Sequence, residues 1–103
     1  MNRIERIERM EEALDSSREA VNKLSEALRV YEANFKKLSA LSAYYGSAKW
    51  MSDFEADEKG KLPKDLKRGV LSEDAVYDLL IENRELVARM AKLVANSIES
   101  FTL

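Results

Sequence analysis

Apolar residues recur every seven positions through the first half of this chain, almost without a break from Ile7 to Tyr45. One seam position is filled by Ile7, Leu14, Val21, Leu28 and Phe35. The other holds Met10, Leu24, Tyr31, Leu38 and Tyr45, with Ser17 as its polar entrant. A heptad pattern of this kind predicts one long helix, which from Ile4 to Tyr45 would span roughly 60 Å at the α-helical rise. Ala13, Ala20 and Ala27 follow the same seven-residue step beside the seam, widening the apolar face and allowing a neighbouring helix to come close. Gly46 suits the left-handed position that closes a helix, so the long helix is expected to occupy 1–46 with Tyr44 and Tyr45 on its last turn.

Beyond Gly46 the pattern changes. All 3 glycines and the 1 proline of the chain fall between Gly46 and Gly69. Ser47 can cap a short helix carrying Trp50, Met51 and Phe54 that ends near Gly60. Pro63 at a first helical position and Gly69 just past an end predict one more helical turn, with Leu62 and Leu66 facing inward. The stretch 47–71 therefore reads as a compact helical connector, because its large apolar residues are out of place in a flexible linker. A last helix over 72–103 is expected to start at the cap Ser72. Glu73 and Asp74 stand in its first turn, and Leu71 and Val76 form a hydrophobic staple. Val76, Leu79, Leu80, Leu86, Val87, Met90, Leu93, Val94 and Phe101 then make a broad stripe. The fold class is all-α, a single helical domain over 1–103, with the long helix antiparallel to the C-terminal one as in a helical bundle or coiled coil.

Composition narrows the chemistry. At 103 residues the chain is long enough for one core. It has no cysteine and no histidine, which removes disulfides, thiolate nucleophiles, the usual structural zinc sites and Ser-His or Cys-His pairs. Charge is plentiful but balanced, 17 basic residues against 19 acidic, so no overall field draws the chain to nucleic acid or an anionic membrane. The opening residues alternate charge with Ile4, Ile7 and Met10 and lack the apolar run of a secretory signal. No later run approaches the ~20 apolar residues of a membrane span. A cytoplasmic protein with no membrane association follows as the expectation.

Several residues are candidates for chemistry or recognition. The connector runs acid, base, acid: Asp53, Glu55, Asp57 and Glu58, then Lys59, Lys61, Lys64, Lys67 and Arg68, then Glu73, Asp74 and Asp78. Such blocks most simply pair with one another. The alternative is an anion or nucleic-acid contact through Lys64, Lys67 and Arg68. Asp53, Glu55 and Asp57 begin like a calcium loop, but Glu58 and Lys64 stand where that loop needs glycine and a bidentate glutamate. Asp78, Glu82 and Glu85 share a helix face and are the weak candidates for a divalent-metal site like that of all-helical nucleotide pyrophosphohydrolases. Their i+4 and i+3 spacing follows from helix geometry alone. Tyr44, Tyr45, Trp50 and Phe54 either line a groove or plug the end of a bundle, and packing is the commoner fate of such a cluster. Asn83 lies on the seam of the last helix, a polar entrant of the kind that fixes register.

The runs Tyr44-Tyr45-Gly46-Ser47, Trp50, Asp53, Ala56-Asp57-Glu58, Gly60-Lys61-Leu62-Pro63 and Asp65 to Ala75, continued by Asn83-Arg84-Glu85-Leu86, resemble an uncharacterised bacterial family catalogued as domain of unknown function 4298. The resemblance implies a small helical cytoplasmic protein and carries over no catalytic residue and no cofactor. What the residues themselves favour is an interaction or scaffold module that self-associates, a dimer before other oligomers, along Ile7, Leu14 and Val21 with Ala13 and Ala20, with an unidentified protein as a further candidate partner. A metal-dependent nucleotide pyrophosphohydrolase and a nucleic-acid accessory protein are the alternatives.

Overall fold

The structure, a computed structural model, describes residues 1–101; Thr102 and Leu103, expected at the end of the last helix, lie outside the described residues. Three α-helices account for most of the chain: α1 (Arg3–Tyr44), α2 (Ala48–Glu58) and α3 (Ala75–Ser100), with a 3-10 turn at Gly69–Leu71 between the last two. No strand occurs among the described residues, and the all-α class stands. The chain divides into two compact units, Met1–Leu38 and Ser39–Leu103.

The first unit is a single stretch of helix. Asn2 starts it: its side-chain carbonyl accepts the Glu5 amide at 2.8 Å, satisfying one donor that a helix start would leave orphaned, and its side-chain amide donates to the Glu5 carboxylate at 3.4 Å. Lys23 pairs with Glu19 at 3.0 Å one turn away. The Arg29 guanidinium holds the Glu26 carboxyl below its ordinary range and is itself pushed up by the same hydrogen bond. Both pairs are solvent-exposed, so they mark the wet side of the helix without adding much stability. Opposite them the heptad seam is open. Ile7 is 54% exposed and Val21 63%, Leu14, Leu24, Leu28 and Phe35 are exposed as well, and α1 contributes no buried residue at all.

The second unit holds the core. Gly46, at φ +79°, breaks α1 where expected, and the Ser47 amide turns back onto the Tyr44 carbonyl. The Ser47 hydroxyl accepts the Trp50 amide at 3.1 Å and starts α2 as its sequence foretells. At the other end Gly60, at φ +69°, donates to the Asp57 carbonyl and Lys61 donates to that of Ala56, the paired bonds of a Schellman closure. Both glycines occupy backbone that a side chain strains.

Residues 63–68 depart from expectation. They form a turn closed by the Leu66 amide on the Pro63 carbonyl, and helical geometry appears only at Gly69–Leu71. The Arg68 guanidinium donates to the carbonyls of Pro63 and Lys64, both at 3.1 Å. Pro63 still accepts the Leu66 amide as well, so it is the Lys64 carbonyl that takes a side-chain donor where a helix would supply a backbone amide. Leu66 is accordingly exposed instead of facing inward, and Gly69 sits inside the 3-10 turn rather than behind a helix. The start of α3 also shifts. Its first regular residue is Ala75, yet Ser72 keeps the capping role by accepting the Ala75 amide at 3.1 Å and donating to the Gly69 carbonyl at 3.0 Å. Both α2 and α3 pack against the 3-10 turn. The buried apolar side chains among the described residues come one from each of these elements: Trp50, Leu71 and Val76, the last two being the expected staple pair.

Candidate interaction surfaces

Trp50 organises the connector. It is 8% exposed, its ring lies edge-on to Tyr45 at 5.2 Å between centroids and stacks on Phe54 at 5.3 Å, and its indole N–H donates to the Val70 carbonyl at 2.9 Å. A ring that has satisfied its donor and buried both faces is packed, so it offers no groove. The Tyr45 hydroxyl donates to the Glu73 carbonyl at 3.2 Å, tying the end of α1 to the turn before α3. Tyr44 points elsewhere. Its hydroxyl donates to the Asp53 carboxylate at 2.6 Å, and that bond, helped by partial burial and by the carboxylate's charge, raises the phenol above its ordinary value.

The basic block does not present a uniform cationic face. Arg68 binds Asp57 at 2.6 Å and two backbone carbonyls besides, so three of its donors are committed inside the connector. This is internal pairing of the acid and base blocks, and it engages Arg68, which the sequence alone offers to an anion. Lys64 and Lys67 remain on the surface. A cavity of about 280 Å³ opens here between Tyr44, Asp53, Leu62, Leu66, Val70 and Leu71, with Lys67 and Arg68 at its edge. It brings Tyr44 of the expected aromatic set together with Lys67 and Arg68 of the expected basic set, but Tyr45, Trp50, Phe54 and Lys64 do not line it.

The acidic candidates stay separate from this region. Asp78, Glu82 and Glu85 are exposed on α3. Among the described residues no group of three or more acidic side chains is placed to hold a metal ion. On the same helix Leu79, Leu86, Val87, Leu93, Val94 and Ile98 are exposed, a second apolar stripe. Ile98, four residues after Val94, carries the pattern of the stripe one turn further.

The surface of greatest extent is the seam of α1. Ile7, Leu14 and Val21 are exposed, and so are Ala13 and Ala20 beside them. The side chains recur at regular spacing along one helix, and what such a surface can do chemically is bury itself against another helix. No helix among the described residues is long and apolar enough to cross a membrane.

Comparison with known proteins gives one match. The model of a family described as a domain of unknown function (DUF4298) matches residues 7–93, and the chain belongs to that family. No curated protein and no solved structure matches the chain.

Proposed function

We propose that this member of a family without an assigned activity is a protein interaction module that pairs with a second copy of itself along the α1 seam. The observation that carries the reading is the open heptad stripe. Ile7, Leu14, Val21, Leu24, Leu28 and Phe35 are exposed along one 42-residue helix whose opposite face carries the Glu19–Lys23 and Glu26–Arg29 pairs. Soluble proteins rarely leave a contiguous apolar surface of that length in water. A lone helix also has little stability of its own, because most helical stability comes from packing an amphipathic face.

A second copy is the simplest occupant, since it offers a stripe of the same length and spacing. A dimer is the smallest assembly that covers it, acting as a scaffold with no reaction of its own, in a cytoplasmic setting. Neither alternative has an observation in its favour: among the described residues Asp78, Glu82 and Glu85 form no group placed to hold a metal ion, and Arg68 is paired with Asp57.

Thermal unfolding followed by far-ultraviolet circular dichroism tests the proposal. Association stabilises the folded state by mass action, so the midpoint should rise with protein concentration. Leu14→Asp should abolish that rise, whereas Glu12→Lys on the wet face should keep it. A wild-type midpoint that does not move over a roughly hundredfold range of concentration contradicts the proposal.

A further inference from the structure

The two flanks of the seam differ, and the difference carries an orientation. In heptad terms Ile7 and Leu14 occupy one seam position and Met10 and Leu24 the other. The residue just before Leu14, Val21 and Leu28 is Ala13, Ala20 and Ala27, with Arg6 before Ile7 and Asn34 before Phe35 at the two ends, and the residue just after Met10, Ser17, Leu24 and Tyr31 is Glu11, Arg18, Ser25 and Glu32. Between those ends one edge of the stripe is thus small and apolar along successive turns while the other is polar and mostly charged. All of these flanking positions are exposed. When two helices pair in parallel, each edge of the interface combines the first flank of one helix with the second flank of its partner. Ala13 would then meet Arg18 of the partner, and Ala27 would meet Glu32. Both edges would be alike, and the segregation would serve nothing.

Antiparallel pairing keeps the flanks apart, alanine facing alanine on one edge and the polar flank facing itself on the other. Resting on the self-association proposed above, we infer that two copies pair antiparallel about a two-fold axis level with residue 19, the midpoint of the seam pairs, with the alanine flank offset by one residue toward Ala20 and the polar flank by one toward Arg18. Each seam residue then meets a partner of the other seam type: Ile7 opposite Tyr31, Met10 opposite Leu28, Leu14 opposite Leu24 and Ser17 opposite Val21. The same register sets Ala20 against its own copy and Ala13 against Ala27. Small side chains along one edge let the backbones approach closely, which deepens the interdigitation of the larger residues. The overlap from Ile7 to Tyr31 is about 36 Å of helix. With the flanking alanines it approaches the roughly 800 Å² per partner of a standard interface. On the polar edge Arg18 meets its own copy, the one like-charge pair of the register, with Asp15 one turn before it on the same helix. That pair is at the solvent rim, where screening is strongest. A strict seven-residue step drifts around a straight helix, so the paired helices should coil gently left-handed.

Cysteine is absent from the natural chain, so single cysteines report proximity cleanly. Under mild oxidation Ala20→Cys should form a disulfide-linked dimer. Ala13→Cys alone should not, while an equimolar mixture of Ala13→Cys and Ala27→Cys should, because only facing positions bring Cβ atoms within the ~4 Å that the bond requires. Leu14→Cys separates the orientations: it faces Leu24 in the antiparallel register and its own copy in a parallel one. A light-scattering mass is taken on each reduced variant. A dimer in which Leu14→Cys links to itself and Ala20→Cys does not overturns the orientation and leaves the self-association reading intact. A monomer overturns both.

Discussion

Replacing Trp50 with alanine removes the largest side chain in the core of the second unit. The indole is 8% exposed and touches Tyr45 edge-on and Phe54 face-on, so its loss leaves a cavity between rings that cannot close without moving α2. Deletion of a buried tryptophan costs about 3–5 kcal/mol. The lost hydrogen bond to the Val70 carbonyl adds less, because Val70 is 41% exposed and water can reach the vacated acceptor. Trp50→Phe should therefore be much milder, about 1–2 kcal/mol, since it keeps an aromatic ring between Tyr45 and Phe54. Only Leu71 and Val76 share the buried core among the described residues. A loss of the larger size consequently removes most of the unit's stability. Trypsin reads the outcome directly, because Lys59, Lys61, Lys64, Lys67 and Arg68 lie on a connector that is cut only when it opens. Cleavage of Trp50→Ala should be roughly a hundredfold or more faster than that of the natural chain, tenfold per ~1.4 kcal/mol, with Trp50→Phe in between. Cleavage of the alanine variant within threefold of the natural rate refutes the packing argument.

Arg68→Ala should destabilise the second unit by about 1–3 kcal/mol, since it breaks a charge-assisted bond to Asp57 and frees the Pro63 and Lys64 carbonyls. Arg68→Lys should recover only part of that loss in a denaturant titration, because a point charge cannot serve all three acceptors. The Tyr44 phenol, raised above its ordinary value by its bond to Asp53, predicts a pH dependence. Its contribution is fully present below the unfolded value of about 10 and is lost as pH rises through the higher folded value. Thermal midpoints between pH 9 and 11.5 should fall more steeply for the natural chain than for Tyr44→Phe, and parallel curves would count against the bond.

Much of the fold is legible because it rests on local signals. The heptad step, Gly46, the Ser47 cap and the Leu71 and Val76 pair are each written within a few residues of where they act, and each appears where the sequence places it. The turn at 63–68 is not legible in that way. Pro63 and Gly69 are ordinary helix brackets, and what the sequence does not show between them is a guanidinium that donates to the Pro63 and Lys64 carbonyls while pairing with Asp57, a contact spanning 11 residues. Arg68 reads as a free surface cation for the same reason: sequence gives its charge, but only the fold gives its partners. The Asn2 cap passes unnoticed because the apolar pattern begins two residues later, at Ile4. As for recognition, the exposed seam is the pattern itself. What lies against it is a property of a second molecule, which a single chain encodes only through the asymmetry of its flanks.

The mass of the natural chain in solution, measured by light scattering at micromolar concentration as the protein elutes, bears most directly on the account. A self-pairing α1 predicts twice the 11.8 kDa of one chain, with Leu14→Asp shifting the protein toward a single-chain mass. A mass of 11.8 kDa for the natural chain would contradict it and leave the open seam to a different partner.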